Sequence, residues 1–293
     1  MRKQLVKTVG ELLDRDERTA LLLGDIGVFG FRNSFRDHPD RVYNLGILEQ
    51  AIVGAAAGLA ISGMIPIAHT IAPFLVERAY EQLKIDFGYQ KLGGNFVSVG
   101  ASYDYAALGC THHCPADVGV LSLIPGMEIV VPGTAEEFDA LFKSAYANGN
   151  PTYYRLSETS NPQSLPVRFG KAEVVQTGTK ATVIAVGPML AAVQEAVAGL
   201  DVTLLYYTTL IPFDAETLRE NCPSGKILLC EPYYSGALTN SVLNALAPCP
   251  VQLICAGVPH VFVDHYGKRE EHDKAFGLTA EGIRSTLEEL IHE

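Results

Sequence analysis

Short apolar runs of strand length alternate with segments of helical periodicity along nearly the whole chain, and this alternation is the feature that most constrains its fold. In the first half the strand-like runs lie at 19–27, 64–70, 95–99, 127–131 and 152–156, and the helical segments at 2–14, 74–87 and 135–147. Alternating strands and helices predict parallel sheets with helices on both faces. The sequence therefore predicts an α/β fold of two parallel-sheet, three-layer domains.

A polar stretch divides the alternating pattern into two parts. Residues 157–171 read SETSNPQSLPVRFGK, which includes two prolines and shows no period. Such a composition is typical of a linker between domains. We therefore predict a first domain over residues 1–160, a linker over 161–170 and a second domain over 171–293.

Charge and composition argue against nucleic-acid and membrane partners. The 293-residue chain has a net charge of −11 and no cluster of Lys or Arg, so polyanions would be repelled. Residues 51–68 approach the length of a spanning helix, but Gly63 and Pro66 interrupt them, and a buried helix is the better prediction. The N-terminus lacks the apolar core of a signal peptide. Six cysteines without an export signal then predict a cytoplasmic protein with reduced thiols.

The motif GCTHHC at residues 109–114 places two cysteines and two histidines within five positions, with Asp117 close behind. Zinc sites draw four ligands from recurring, separated pairs, and no second cluster follows here. The spacing also differs from the CxxC of redox pairs. A solvated surface loop remains an alternative. The long aperiodic setting favours a ligand-binding loop, in which a histidine can move a proton or orient a hydroxyl.

Glu49 is the second candidate for chemistry, and two interpretations stay open. It begins the small-residue helix and has no cation near it in the sequence. It can simply stabilise the helix dipole, or, in a buried apolar cleft, it can donate and accept a proton. Asp25, the turn at 44–49, residues 70–74 and the GCTHHC loop all follow predicted strands or irregular segments. We expect these segments along one edge of the sheet, where α/β proteins bind ligands.

A family resemblance rests on several segments in order. These are RVYNLGILEQAIVGAAAGLAISGMIPIAHTIAPFL (41–75), the GCTHH loop, LIPGMEIVVPGTAEE (123–137) and PTYYRLSE (151–158). Together they resemble the C-terminal half of transketolases, and more specifically the separate C-terminal subunit of split transketolases. The resemblance runs nearly end to end. It implies a thiamine diphosphate pyrimidine-binding domain followed by a transketolase C-terminal-like domain.

The resemblance also implies roles for particular residues. Catalytic roles fall on Glu49 and His112, cofactor contacts on Glu49, Phe74, Asp25 and His69, and substrate contacts on His112, His113 and Arg155. In the family, the glutamate binds the aminopyrimidine of thiamine diphosphate and promotes the imino tautomer that deprotonates the thiazolium. The aromatic ring stacks on the pyrimidine, and the histidine faces the donor sugar.

The family's Gly-Asp-Gly motif, which holds the diphosphate through Mg²⁺, has no counterpart beyond Gly24-Asp25-Ile26-Gly27 in an unsuitable context. The resemblance therefore implies half of an enzyme, with no metal ligand of its own. The partner would be an N-terminal subunit that binds the diphosphate and the metal, in a heterotetramer. Together they would transfer a two-carbon ketol unit from a ketose donor to an aldehyde acceptor.

Two positions depart from the family pattern and bear on the substrate. Leu108 replaces an aspartate that helps to select the donor, and Glu158 lies where a second phosphate-binding arginine is expected. A carboxylate there repels phosphate, so we expect a donor unlike ordinary pentose phosphates, unphosphorylated or bound differently. Two alternatives remain: the beta subunit of a 2-oxo acid dehydrogenase, which has a similar IPGMEIVVPGT segment, and a non-catalytic assembly paralogue.

Overall fold

The structure is a computed structural model that describes residues 1–292. Two sheets contain the strands of this range, which are, in chain order, β1 (Thr19–Leu23), β2 (Val42–Asn44), β3 (Ile65–Ile71), β4 (Gly94–Val99), β5 (Glu128–Val130), β6 (Pro151–Arg155), β7 (Glu173–Gln176), β8 (Thr182–Val186), β9 (Thr203–Tyr207), β10 (Thr209–Ile211), β11 (Lys226–Tyr234) and β12 (Gln252–Val258). The first sheet has seven strands in the order β10-β5-β6-β4-β3-β1-β2, and the second has five in the order β12-β11-β8-β9-β7. The predicted α/β fold with two mainly parallel sheets is confirmed.

Each sheet contains one antiparallel strand that the sequence pattern does not predict. Strand β7 pairs antiparallel with β9 at the edge of the second sheet. Strand β10 follows the predicted linker, yet it pairs antiparallel with β5 and completes the first sheet. The second half of the chain therefore contributes a strand to the first sheet, and the two sheets are not built from separate segments.

Helices cover both sheets. In chain order they are α1 (Arg2–Arg15), α2 (Arg32–Asp37), α3 (Glu49–Ile61), α4 (Tyr80–Gln82), α5 (Asp117–Leu121), α6 (Ala135–Ala145), α7 (Leu190–Val197), α8 (Ala215–Glu220), α9 (Thr239–Leu246), α10 (Arg269–Ala275) and α11 (Ala280–His292). Short 3₁₀ turns lie at Ala106–Leu108, Cys110–His112 and Gly187–Met189. This arrangement gives the layered architecture that strand–helix alternation predicts.

The segment predicted as one helix over 74–87 is interrupted. π-helical turns at Phe74–Arg78 and Leu83–Tyr89 flank the single turn of α4. A π-turn accommodates one extra residue per turn and is found mostly at functional sites. The segment therefore presents its side chains at angles that a regular helix would not give.

The small-residue segment forms helix α3 and strand β3. On α3, Ile52, Val53 and Ala56 are buried against the sheet, whereas Ala51 and Ala55 are exposed. Within residues 1–292, none of the helices is long and apolar enough to cross a membrane. The buried-helix interpretation of this segment therefore holds for one face of α3.

The two halves are joined by hydrogen bonds next to the GCTHHC loop. The Tyr234 amide, at the end of β11, donates to the Pro115 carbonyl at 2.8 Å. The Arg155 guanidinium donates to the Pro232 carbonyl at 3.3 Å, and the Ser102 hydroxyl donates to the same carbonyl. The second sheet thus holds in place the loop that connects β4 with α5.

Candidate active site

The carboxyl ends of the parallel strands share one edge, and polar residues follow them there. Leu23 of β1 lies beside Asn44 of β2 and beside His69 of β3. The Asn44 side chain accepts from the Asp25 amide at 3.0 Å and donates to the Asp25 carboxylate at 3.2 Å. Asp25 adopts φ 65°, a left-handed conformation that is uncommon outside glycine. Asn44 therefore fixes the turn that places Asp25 at this edge.

Glu49 lies buried at the start of α3, with a side chain only 1% exposed. Its Oε2 accepts a hydrogen bond from Nη1 of Arg78 at 2.7 Å, whereas its Oε1 has no hydrogen-bond partner. Buried carboxylate oxygens are rarely left unpaired, and an unpaired one calls for an explanation. Glu49 thus combines the features of both interpretations: it lies in the first helical turn, and it is buried with one oxygen free.

Phe74 is linked to Glu49 through Arg78, and its ring has two recorded contacts. The Arg78 guanidinium carbon lies 4.3 Å from the ring centroid. The His112 ring lies 5.4 Å away in an edge-on arrangement. Glu49, Phe74 and His112 come from three separate segments, and Arg78 links the first two. The structure therefore brings together the central residues that the sequence singled out.

His69 lies near the end of β3, at the same edge of the first sheet. Its Nδ1 bonds to the Val97 carbonyl at 2.8 Å, and its Nε2 is buried without a partner. Burial lowers the pKa of His69 to about 4, although the bond to Val97 opposes this shift. A cavity of about 560 Å³ is lined by His69, Asp25 and Gly27 together with apolar side chains and the cations Arg2 and Lys3 of α1. A neutral imidazole therefore faces a cavity lined by apolar side chains, one carboxylate and two cations.

The GCTHHC loop is shaped by its glycine. Gly109 has φ 74°, and a Cβ there would lie 2.7 Å from the Tyr266 ring. The Thr111 hydroxyl lies 3.0 Å from Nδ1 of His112, so this imidazole is oriented by its neighbour. Only glycine satisfies both the backbone angle and the close approach.

The cysteines of the loop do not form a pair. Both are free thiols, with Cys110 exposed and Cys114 buried, and burial raises the pKa of the Cys114 thiol. Within residues 1–292, no three His, Cys, Asp or Glu side chains are grouped so that they could hold a metal ion. The motif therefore offers its glycine turn and His112 to the site, and its geometry gives no support to thiol or zinc chemistry.

His113 lies close to the second half of the chain. It is buried, with 6% exposure, and its ring lies 6.4 Å from that of His272 on α10. Burial, and secondly His272, lower the pKa of His113. His113 thus packs between the loop and the second half of the chain. This position does not bring it to the Glu49 and Phe74 cluster, so the expected substrate contact of His113 gains no support.

Arg155 lies in the interior and is already paired. Its side chain is 1% exposed and forms an ion pair with the fully buried Asp117 at 2.7 Å. It also donates to Ser102 at 2.7 Å. These bonds hold the guanidinium in the interior, so it is not free to contact a ligand. Arg155 and Asp117 instead form part of the polar network beneath the loop.

The two positions that depart from the family lie apart from Glu49. Leu108 is 53% exposed, and it lines a groove together with Glu158, Lys268 and Arg269. Burial, and secondly Asp104, raise the pKa of Glu158. Both residues therefore lie at an accessible surface beyond the loop.

Two residues of the site were not identified from sequence. Arg78 contacts both Glu49 and Phe74, and Asn44 fixes Asp25. The proximity of Arg78 to Phe74 in the sequence, one turn later, was an available signal. Its pairing with Glu49 joins residues 29 positions apart, and no local pattern indicates such a contact.

Comparison with known proteins agrees with this geometry. The two mainly parallel sheets, with a buried glutamate and an aromatic ring at one strand edge, define an α/β protein of the thiamine diphosphate transketolase class. Residues 1–163 match the family described as transketolase, pyrimidine binding domain. Residues 170–283 match the family described as transketolase, C-terminal domain. The chain belongs to the transketolase family, whose members depend on thiamine diphosphate.

Individual relatives share nearly the whole length of the chain. An uncharacterized 33.6 kDa protein in the fasciation locus of Rhodococcoides fascians is 37% identical, over 97% of this chain and 92% of that protein. An apulose-4-phosphate transketolase subunit of Phocaeicola vulgatus is 30% identical, over 99% and 97%. A solved structure described as a split gene transketolase, inactive beta4 tetramer, superposes with a TM-score of 0.86 at 28% identity, over 99% and 97%. The chain is thus similar to one separate subunit of split transketolases.

Proposed function

We propose that this chain is the C-terminal subunit of a two-component transketolase-like enzyme that transfers a two-carbon ketol unit from a ketose to an aldehyde. The observation that carries the proposal is the convergence of Glu49, Phe74 and His112 at one strand edge, with Oε1 of Glu49 buried and unpaired. The pyrimidine-binding domain comprises residues 1–160 in this proposal, and the C-terminal domain comprises residues 171–293.

The residues present fit the pyrimidine part of thiamine diphosphate. Glu49 offers a buried carboxyl oxygen that can share a proton with a heterocyclic nitrogen. Phe74 offers a ring face to a flat heterocycle. The bound cofactor supplies the carbanion chemistry, and the protein positions and polarises its groups. His112, beside Phe74 and oriented by Thr111, can donate or accept a hydrogen bond at a donor hydroxyl.

A partner subunit is part of the proposal. The described residues contain no cluster of three or more His, Cys, Asp or Glu side chains that could hold a metal ion. Mg²⁺ and the diphosphate would therefore be held mainly by the partner. The Phocaeicola relative is named as one subunit of a transketolase, and the similar solved structure is described as an inactive tetramer of beta chains. We infer an N-terminal partner, active sites between the two kinds of subunit, and a heterotetramer.

The buried Arg155 bears on the substrate. Because Asp117 holds the Arg155 guanidinium, this arginine is not available for a phosphate group, and Glu158 repels one nearby. We infer a ketose donor that has no phosphate group at the end that approaches Arg155 and Glu158. The Phocaeicola relative is named for a phosphorylated ketose, so a matched pair of free and phosphorylated ketoses is the informative comparison. A strong preference for the phosphorylated donor would contradict this inference.

Reconstitution tests the proposal. The chain is combined with its N-terminal partner, thiamine diphosphate and Mg²⁺, and ketol transfer is measured for wild type and Glu49→Gln. We expect no transfer by the chain alone, transfer by the complex, and loss of transfer in the variant. Turnover of a 2-oxo acid but not of a ketose would favour the dehydrogenase alternative. Absence of cofactor binding with any partner would favour the assembly paralogue.

A further inference from the structure

One guanidinium contacts both residues that the proposed function assigns to the pyrimidine ring. Nη1 of Arg78 lies 2.7 Å from Oε2 of Glu49, and the Arg78 guanidinium carbon lies 4.3 Å from the Phe74 ring centroid. The guanidinium is flat, carries several donors and stacks on aromatic faces. It therefore presents to Glu49 and Phe74 the same combination of shape and hydrogen bonding that an aminopyrimidine would present.

The contact between Arg78 and Phe74 is exclusive. An aromatic heterocycle stacked on this face of Phe74 would occupy the volume of the guanidinium, because neither group can be compressed. A ring nitrogen could still bind the unpaired Oε1 of Glu49, because Arg78 bonds to Oε2. The stacked guanidinium is therefore incompatible with a pyrimidine on the same face of Phe74.

The surroundings of Arg78 permit its departure. Its side chain is 39% exposed, whereas that of Glu49 is 1% exposed, so the cation has access to solvent and the carboxylate does not. Arg78 ends the π-helical turn Phe74–Arg78, a geometry that is frequent at functional sites. Its guanidinium can therefore turn into solvent while Glu49 stays buried.

We propose that Arg78 is a positioning residue that holds Glu49 and Phe74 in place in the unliganded chain and withdraws when the pyrimidine of thiamine diphosphate enters. This inference rests on the proposed function and adds a step to it. Since only the fraction of molecules with Arg78 withdrawn is competent to bind, the ion pair weakens the apparent affinity in proportion to that fraction.

The test compares cofactor binding by wild type and Arg78→Met in the complex with the partner chain, with thiamine diphosphate and Mg²⁺ as the probe. Equilibrium affinity and association rate are followed by near-ultraviolet circular dichroism. The association rate of wild type should reach a plateau as cofactor concentration rises, because withdrawal of Arg78 becomes limiting. For Arg78→Met the rate should rise linearly with concentration, and the affinity should be about tenfold tighter.

Two further variants complete the experiment. Arg78→Lys keeps the charge without the flat stacking group, and its affinity should fall between the other two. Arg284→Met is the matched control, because Arg284 is also 39% exposed and paired with a glutamate, but on α11. Its binding should equal that of wild type.

The outcomes separate the two proposals. Binding by wild type that is no weaker than by Arg78→Met, with linear association in both, would overturn the role of Arg78 and leave the proposed function standing. A structure of the loaded complex in which Arg78 still bonds to Glu49 would do the same. Binding by neither protein would overturn the proposed function and this inference together.

Discussion

Arg155 and Asp117 form a fully buried ion pair, with Nε of Arg155 2.7 Å from Oδ2 of Asp117 and exposures of 1% and 0%. The Tyr153 hydroxyl donates to the same carboxylate oxygen at 2.9 Å. The pair lies beneath the GCTHHC loop and bonds to the second half of the chain through the Pro232 carbonyl. The GCTHHC loop is therefore supported from beneath by an ion pair whose two charges balance each other without a ligand.

Neutralising Asp117 should destabilise the fold. Asp117→Asn leaves the Arg155 charge buried without its partner, and we expect a loss of about 3–5 kcal/mol in the free energy of unfolding. Urea denaturation measures this loss. Asp37→Asn is the matched control, because Asp37 also pairs with an arginine at 2.7 Å but is 48% exposed, and its free energy of unfolding should stay close to that of wild type. Equal losses would show that burial of the pair has no energetic importance.

Glu49→Gln should remove catalysis while the chain still folds. The amide cannot exchange a proton, so we expect kcat of the reconstituted enzyme to fall by at least about a hundredfold. Glu136→Gln is the control for a helix-dipole effect, because Glu136 lies in the first turn of α6 and is exposed. Its activity should remain that of wild type. Similar losses in both variants would support the dipole explanation of Glu49.

The contribution of His69 to the free energy of unfolding should decrease as the pH falls. Its folded-state pKa is about 4, against an ordinary value of 6.5, so between these values the unfolded chain binds a proton that the folded chain excludes. The free energy of unfolding attributable to His69 is retained above pH 6.5 and decreases by about 3 kcal/mol as the pH falls to 4. His69→Asn, which can still bond to Val97, should lack this decrease in urea titrations across that range. His265→Asn, at an exposed position, should retain it.

The contribution of Glu231 to the free energy of unfolding should decrease as the pH rises, which is opposite to that of His69. It is buried in β11, where burial raises its pKa from 4.5 to about 7 against the bonds it accepts from the Gly236 and Leu238 amides. Between these values the folded chain keeps a proton that the unfolded chain has released. Its contribution therefore declines by about 3 kcal/mol as the pH rises from 4.5 to 7.

Glu231→Gln removes this titration, so the readout is the slope of unfolding free energy against pH rather than its absolute value. The variant should show a more positive slope than wild type between pH 4.5 and 7. The exposed Glu281→Gln serves as the control and should follow wild type. An unchanged slope in Glu231→Gln would mean that Glu231 is already ionised at acidic pH in the folded chain.

The sequence predicts the sheets well because their strands are buried on both faces. Strands β1 and β8 are mainly apolar runs of full burial, and such runs are recognisable without any tertiary information. The roles expected of Glu49, Phe74 and His112 came from the family resemblance, because local pattern left Glu49 between two interpretations and marked the GCTHHC loop only as a ligand-binding loop. Local pattern was sufficient for the strands, whose burial is written in their own residues.

The sequence pattern does not predict the position of a side chain when its contacts are made with residues distant in the chain. Arg155 ends a strand like a ligand-binding arginine, but Asp117, 38 positions away, captures it. His113 adjoins His112, yet it packs against His272 from α10. The π-turns at Phe74–Arg78 also escape prediction, because apolar periodicity does not distinguish them from an α-helix. These contacts are set by tertiary structure and leave no local signature.

Strand β10 covers the outer edge of β5, and the backbone amide of Val131 adds a bond to the Thr208 carbonyl at 2.7 Å. An uncovered sheet edge invites pairing with other chains. In evolution, a recombination event that replaced only the region after the linker would therefore have to supply a matching tenth strand. The two halves are expected to be inherited together. Chimeras of relatives should fold without pairing to other chains only when β5 and β10 come from the same parent.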